Sequence, residues 1–269
     1  RRRPGPGREG AAPPQTRHCI GSETCPNLDT SHDDYVKLLR EIRSVKGVKK
    51  VFVRSGLRYD YVLADHNKAF VKELCQYHVS GQLKVAPEHV VKHVTDLMGK
   101  ADVQAFLKFK DWFDEANREL GKKQYLVPYF MSSHPGCTLK DAVALAEFLR
   151  DMHMQPEQVQ DFIPTPGSLS TAMYYTGLNP LTGEKVYVAR RPEEKQMQRA
   201  LMQYKNPANY DIVYKALCLA GRRDLIGYGP KCLIAPRRHQ AGWRPDKAGR
   251  PAAPSRRQGR GTAKTRKFR

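Results

Sequence analysis

The sequence predicts an α/β fold in which parallel βα repeats form part of a TIM-like barrel, followed by a C-terminal helical extension. Three observations carry this prediction. Four short apolar runs start at residues 49, 82, 125 and 159, spacings of 33, 43 and 34 residues, which suit right-handed βα units. Each run ends in a turn rich in polar residues, proline or glycine. Between them lie segments with apolar residues three and four apart, the period of an amphipathic helix.

Taken in order, Ser31 to Lys46 places Tyr35, Leu38, Leu39, Ile42 and Val45 on one helical face, and Gly47 ends it. Lys49 to Ser55 is a short β-rich run, Gly56 to Asp60 a turn, and Ala64 to Tyr77 a second helix. Gln82 to Ala86 is the second strand and stops at Pro87-Glu88-His89. Helices are expected at 90–98 and 102–120, the latter with Phe106, Phe109, Trp112, Phe113 and Leu120 on one broad face. Tyr125 to Ser132 is the third strand. It turns at His134-Pro135-Gly136 into a helix over Leu139 to Met152, whose start is signalled by Thr138 followed three residues later by Asp141. Val159 to Ile163 is the fourth strand and runs into Pro164-Thr165-Pro166. Beyond it the pattern changes. A short helix or turn over 168–177, a loop or hairpin turning at Thr182-Gly183, and helices over 192–204 and 207–220, each opened by proline, complete the ordered part. The organisation is therefore a basic tail at 1–16, a partial barrel at 17–166, a helical extension at 167–234 and a second basic tail at 235–269.

Composition separates tails from core. Residues 1–17 hold five Arg against Glu9, a net of +4, and residues 237–269 hold twelve Lys and Arg against Asp246, a net of +11; together these supply +15 of the formal +20. Both ends are poor in large apolar residues and bury too little surface to offset the entropy of ordering, so both are expected to be disordered. Basic tails attract polyanions, which keeps a non-enzymatic, non-specific nucleic-acid-binding function open as the alternative to an enzyme. No apolar run approaches the roughly 20 residues needed to span a bilayer, and six scattered cysteines suit reduced thiols, so the expectation is a cytoplasmic protein without a membrane partner.

In a parallel sheet the carboxyl ends of the strands converge on one rim, where chemistry is found in barrels. The rim expected here carries Ser55 and Arg58 after the first strand, Glu88 and His89 after the second, and Ser133 and His134 after the third. Hydroxyls, a guanidinium, a carboxylate and imidazoles on one rim suit acid–base work or a charged ligand. Cys19 and Cys25, with His18 and His32 nearby, invite a metal reading, but the five-residue gap exceeds the usual spacing of a zinc knuckle, and no metal site is assigned. Phosphate-loop, nucleophile-elbow and zinc-protease patterns are absent from the sequence.

The runs SGLRYD, LKVAPEH, QYLVPYFMSSHPG and VQDFIPTPGSLSTAMYYTGLNPLTGEKVYV, with Arg223 to Gly227, resemble the YgiQ family of radical S-adenosylmethionine (SAM) proteins over about residues 17–234. The resemblance implies the later half of a radical SAM barrel. In a complete member, a [4Fe–4S] cluster reduces SAM to a 5′-deoxyadenosyl radical that takes hydrogen from a substrate, here unknown. It further implies that Ser55, Arg58, Glu88, His89, Ser133 and His134 lie on the SAM side of the rim. The Cys-x3-Cys-x2-Cys loop that holds the cluster is missing, so this chain alone is expected to bind neither the cluster nor SAM stably and not to cleave SAM.

Overall fold

The computed structural model describes residues 21, 25, 27–65, 68–156 and 159–237. The two tails and Cys19 thus lie outside the described residues, apart from residues 235–237; there Tyr210 Oη donates to the Ala235 carbonyl at 2.8 Å. The described residues form a mixed α/β structure on a small parallel sheet of three strands in the order β1-β2-β3: β1 Gln82–Glu88, β2 Tyr125–Ser132 and β3 Gln160–Asp161.

The leading helix α1 (Asp33–Ser44) and the long α5 (Val103–Glu119) follow from their apolar stripes. Asp102 caps α5 by accepting the Gln104 N–H, and Phe106, Phe109 and Phe113 leave no surface exposed. These rings, with Tyr59, Leu74, Leu83 and Val85, build the core beneath β1. Full burial of one such side chain contributes about 1.5–3 kcal/mol, so this layer holds α5 to the sheet more firmly than its surface ion pairs do.

Two expected strands are corrected. Lys49 to Ser55 is no strand. Its backbone is claimed by His78: Val53 N–H donates to the His78 carbonyl at 2.9 Å, and His78 Nδ1–H donates to the Val51 carbonyl at 2.9 Å. Only Leu57, just past the run, bridges to Val85 of β1. The fourth strand shrinks from Val159–Ile163 to two residues, because Thr165 N–H turns back to Thr171 Oγ1 at 2.8 Å and draws the chain off the ladder. The expected helix over 64–77 is also redistributed, into α2 (Tyr59–Ala64), α3 (Ala69–Glu73) and a π turn over Leu74–His78.

After β1 come α4 (Lys92–Met98), closed by Gly99 at φ 65°, and then α5. After β2 comes α6 (Leu139–Asp151), opened by the capping box expected from sequence: the side chains of Thr138 and Asp141 each accept the other's backbone N–H. Beyond β3 lie α7 (Leu169–Thr176), α8 (Pro192–Met202) and α9 (Tyr210–Leu219). The loop between α7 and α8 turns at Gly183 and carries one antiparallel bridge, Leu178 to Lys185, so the expected hairpin is minimal. A second core joins Val94, Cys137, Ala142, Val143 and Ala146 to Leu201, Val213 and Leu217 of α8 and α9. Among the described residues no helix is long and apolar enough to cross a membrane.

Candidate functional site at the strand ends

The carboxyl ends of β1 and β2 share an unusual backbone. Glu88 has φ 62° and Ser133 φ 61°, left-handed values that cost a non-glycine residue about 1 kcal/mol or more. At Glu88 the cause is local. Pro87 has no N–H for the ladder, and the His89 N–H folds back to the Pro87 carbonyl at 2.7 Å, closing a γ-turn around Glu88. The register slips at the same place, since Val85 faces Pro128 while Glu88 faces Phe130. The turn aims the Glu88 carboxylate at Lys100 just past α4, 2.9 Å away.

At Ser133 the cause is tertiary. Its backbone N–H donates to Gln198 Oε1 of α8 at 3.0 Å, and Gln198 Nε2 donates to the Cys137 carbonyl at 3.0 Å. A fully buried glutamine thus spans the turn between β2 and α6. The Ser133 hydroxyl is buried without a partner. Three residues further on, the Gly136 N–H donates to the Tyr187 carbonyl at 2.7 Å, which ties the α7–α8 loop to the rim.

Both rim histidines are buried and neutral. His89 Nδ1 accepts the Val91 N–H at 3.1 Å, which leaves Nε2–H to donate to Cys137 Sγ at 3.5 Å. Burial lowers the His89 pKa to about 4 and raises that of the Cys137 thiol, so the pair is imidazole and thiol rather than imidazolium and thiolate. It is no activated nucleophile. His134 donates from Nδ1 to the Pro135 carbonyl at 2.7 Å, so Nε2 is the acceptor for the Ser170 hydroxyl, also at 2.7 Å. A hydroxyl on an imidazole has the form of a nucleophile and its base. Here, burial lowers the His134 pKa and the third partner is a carbonyl instead of a carboxylate, so a developing imidazolium would go unstabilised. The contact positions α7 against the rim.

In front of these buried groups opens a cleft of about 840 Å³. Its wall includes Arg58, His93, Lys100, Gly136, Ser170 and Tyr187. Arg58 reaches it while paired with Asp60 at 2.6 Å and 3.1 Å, lying over the Tyr61 ring and donating to the Gly21 carbonyl at 3.1 Å. The hydrogen bond to Asp60 holds its pKa above the ordinary arginine value.

Of the six residues expected on the rim, Arg58 is in the cleft wall, Glu88 meets it through Lys100, and His134 through Ser170. Ser133 and His89 stand buried behind the wall, and Ser55 is exposed and outside the lining. Gln198 and Ser170 were not singled out from sequence. A glutamine inside a helix and a serine in a helix's first turn carry no signal of their own.

Comparison with known proteins gives the chain a family context. The model for the domain of unknown function DUF3362 matches residues 157–268, beginning three residues before β3. Over 218 residues the chain is 59% identical to a UPF0313 protein of Clostridium perfringens strain 13, covering 81% of this chain and 33% of that protein. A UPF0313 protein of Methanocella arvoryzae is 57% identical over 218 residues, 81% of this chain and 36% of its own length. One from Clostridium botulinum strain 657 is 54% identical over 220 residues, 82% of this chain and 34% of its own length. The chain therefore spans about a third of the length of the curated relatives it matches.

Proposed function

We propose that this chain forms the later βα units of a radical SAM barrel of the YgiQ type, and that its strand-end cleft supplies polar contacts to S-adenosylmethionine. The observation that carries the reading is the pair of left-handed residues, Glu88 and Ser133, at the carboxyl ends of two neighbouring parallel strands and next to a cleft holding Arg58 and Lys100. Left-handed backbone at the ends of strands concentrates at sites that bind ligands. The similarity to UPF0313 proteins is consistent with that family.

The residues fit a share of the SAM molecule. Guanidinium and ammonium groups suit its carboxylate, and the Glu88 carboxylate suits ribose hydroxyls or the amino group. The residues do not fit the iron–sulfur cluster. Cys25, Cys75, Cys137, Cys218 and Cys232 lie apart as free thiols, and among the described residues no three Cys, His, Asp or Glu side chains gather as a ligand set. No step through a cluster is derived from this chain.

Equilibrium dialysis against labelled SAM tests the reading, on this chain and on the full-length C. perfringens relative. Saturable binding should weaken about ten-fold or more in Arg58→Ala and Glu88→Gln, the loss of one charge-assisted hydrogen bond, with folding intact. Binding that both substitutions leave unchanged in both proteins would overturn it.

A further inference from the structure

A second cleft, of about 500 Å³, lies at the opposite end of the sheet, around the amino ends of β1 and β2. With about 3.3 Å per residue, the seven residues of β1 put it roughly 20 Å from the Glu88 rim. Three separate stretches meet there: the run after α1, the loop from the π turn into β1, and the loop from α5 into β2. The first and the third bring cations, joined by Arg43 from the last turn of α1. Arg43, Lys49, Lys50, Lys122 and Lys123 line the cleft, and no Asp or Glu does.

Local contacts do little to neutralise these charges. Lys122 Nζ is steadied by the Cys75 carbonyl at 3.1 Å and by that of Gln76, both neutral. Arg43 has a carboxylate near it, Glu73 at 3.8 Å, but Arg40 holds the same carboxylate closer, at 2.9 Å. Lys49, Lys50 and Lys123 are exposed and have no ion pair among the described residues. Two aromatic rings stand among the cations. Phe52 is 41% exposed and Tyr77 39%, with Lys50 5.9 Å from the first ring and Arg43 3.7 Å from the second.

We infer that this cleft is a binding site for single-stranded nucleic acid, its lysines tracking phosphates and its two rings stacking bases. Cations alone would suit any polyanion. Exposed flat rings set between them are the device that proteins use for unpaired bases, whose faces a duplex hides. An anionic bilayer would call for an apolar ridge that enters the acyl boundary, and the lining here is cationic and aromatic around polar loop residues. None of the lining residues belongs to the sequence of the basic tails, and the inference does not depend on the SAM reading.

The test is fluorescence anisotropy of a labelled oligouridylate of about a dozen nucleotides against the full chain, at salt from ~50 to ~200 mM. Lys49→Gln, Lys50→Gln and Lys123→Gln combined should weaken binding about ten-fold or more and lower the salt slope by about 2. A control losing the same charge at exposed Lys140, Lys205 and Lys215 should lose far less. Phe52→Leu with Tyr77→Leu should weaken binding about five-fold or more at an unchanged salt slope, the mark of lost stacking. Three results would each overturn the inference: equal losses in cleft and control variants, which would place binding in the tails; no loss on removing the rings; or binding of duplex, or of phosphatidylserine vesicles, that matches or exceeds binding of the single strand. The lysine variants are exposed and keep the test decisive if the ring variants fold poorly.

Discussion

The backbone N–H of Ser133 and the side-chain oxygen of Gln198 are 3.0 Å apart, and the amide's other end reaches the Cys137 carbonyl at the same distance. One buried side chain of α8 therefore satisfies two backbone groups of the β2–α6 turn, 65 and 61 residues earlier in the chain. Each would otherwise be buried without a partner, at a cost of about 1–3 kcal/mol.

Gln198→Leu should accordingly destabilise the fold by about 2–4 kcal/mol, a drop of roughly 2–4 °C in Tm per kcal/mol for a chain of this size. Gln198→Glu should recover part of the loss, since it keeps the acceptor for Ser133 and removes the donor to Cys137. Thermal melts followed by circular dichroism check this. Equal melting of both variants and wild type would mean that the turn finds other partners.

Gly136 is a steric test of the same turn. It has φ 92°, and a Cβ there would clash with Leu97 Cδ1. Gly136→Ala should destabilise by about 1–3 kcal/mol from backbone strain, with the clash added. Combining it with Leu97→Ala should remove the clash and leave the strain, so urea titrations of the four-member cycle should give a favourable coupling energy.

Acid should destabilise the protein through His89. Its folded pKa, depressed to about 4 by burial, lies below the 6.5 of a free histidine. Between those values the unfolded chain binds more protons, so stability is complete above pH 6.5 and falls as the pH drops toward 4, by up to about 3 kcal/mol. His134 is shifted in the same direction and adds to the loss. His89→Gln should flatten this limb of a plot of unfolding free energy against pH. A slope as steep as wild type would assign the effect to other groups.

Thr138→Ala should cost about 0.5–2 kcal/mol by opening the α6 capping box, and Thr138→Ser should restore most of it. Thr138 also lines the large cleft, so a ligand bound there should raise the melting temperature of wild type and of the Ser variant alike.

The parts of the fold legible in the sequence are those fixed by local pattern. The helices α5, α6, α8 and α9 appear where apolar spacing places them, and the α6 start was readable to the residue from Thr138 and Asp141. β1 and β2 were readable as apolar runs, β2 stopped by Ser133-His134-Pro135 as expected, while β1 runs on through Pro87 to Glu88, two residues past its expected end at Ala86. The run at 49–55 has the same local pattern as a strand, yet His78, more than twenty residues later, takes up its hydrogen bonds. Such competition is invisible to a reading of local pattern. At the rim, the residue types pointed to the right loops, whereas depth was not readable. Nothing in the letters separates Arg58 in a cleft wall from Ser133 buried behind it, and the left-handed backbone of Glu88 has no glycine to announce it.

The second core also bears on how this chain can be divided. The matched family domain begins at residue 157, yet Leu201, Val213 and Leu217 beyond that point share one apolar interior with Val94, Cys137 and Ala146 before it. A cut at the domain boundary would leave both pieces with an open hydrophobic wound, and the upstream piece would lose Gln198 as well. The C-terminal helices are therefore not a cassette that can be traded between proteins by itself. They must be inherited together with the β2–α6 turn they close, and an insertion that pushed them away would be felt first at the rim.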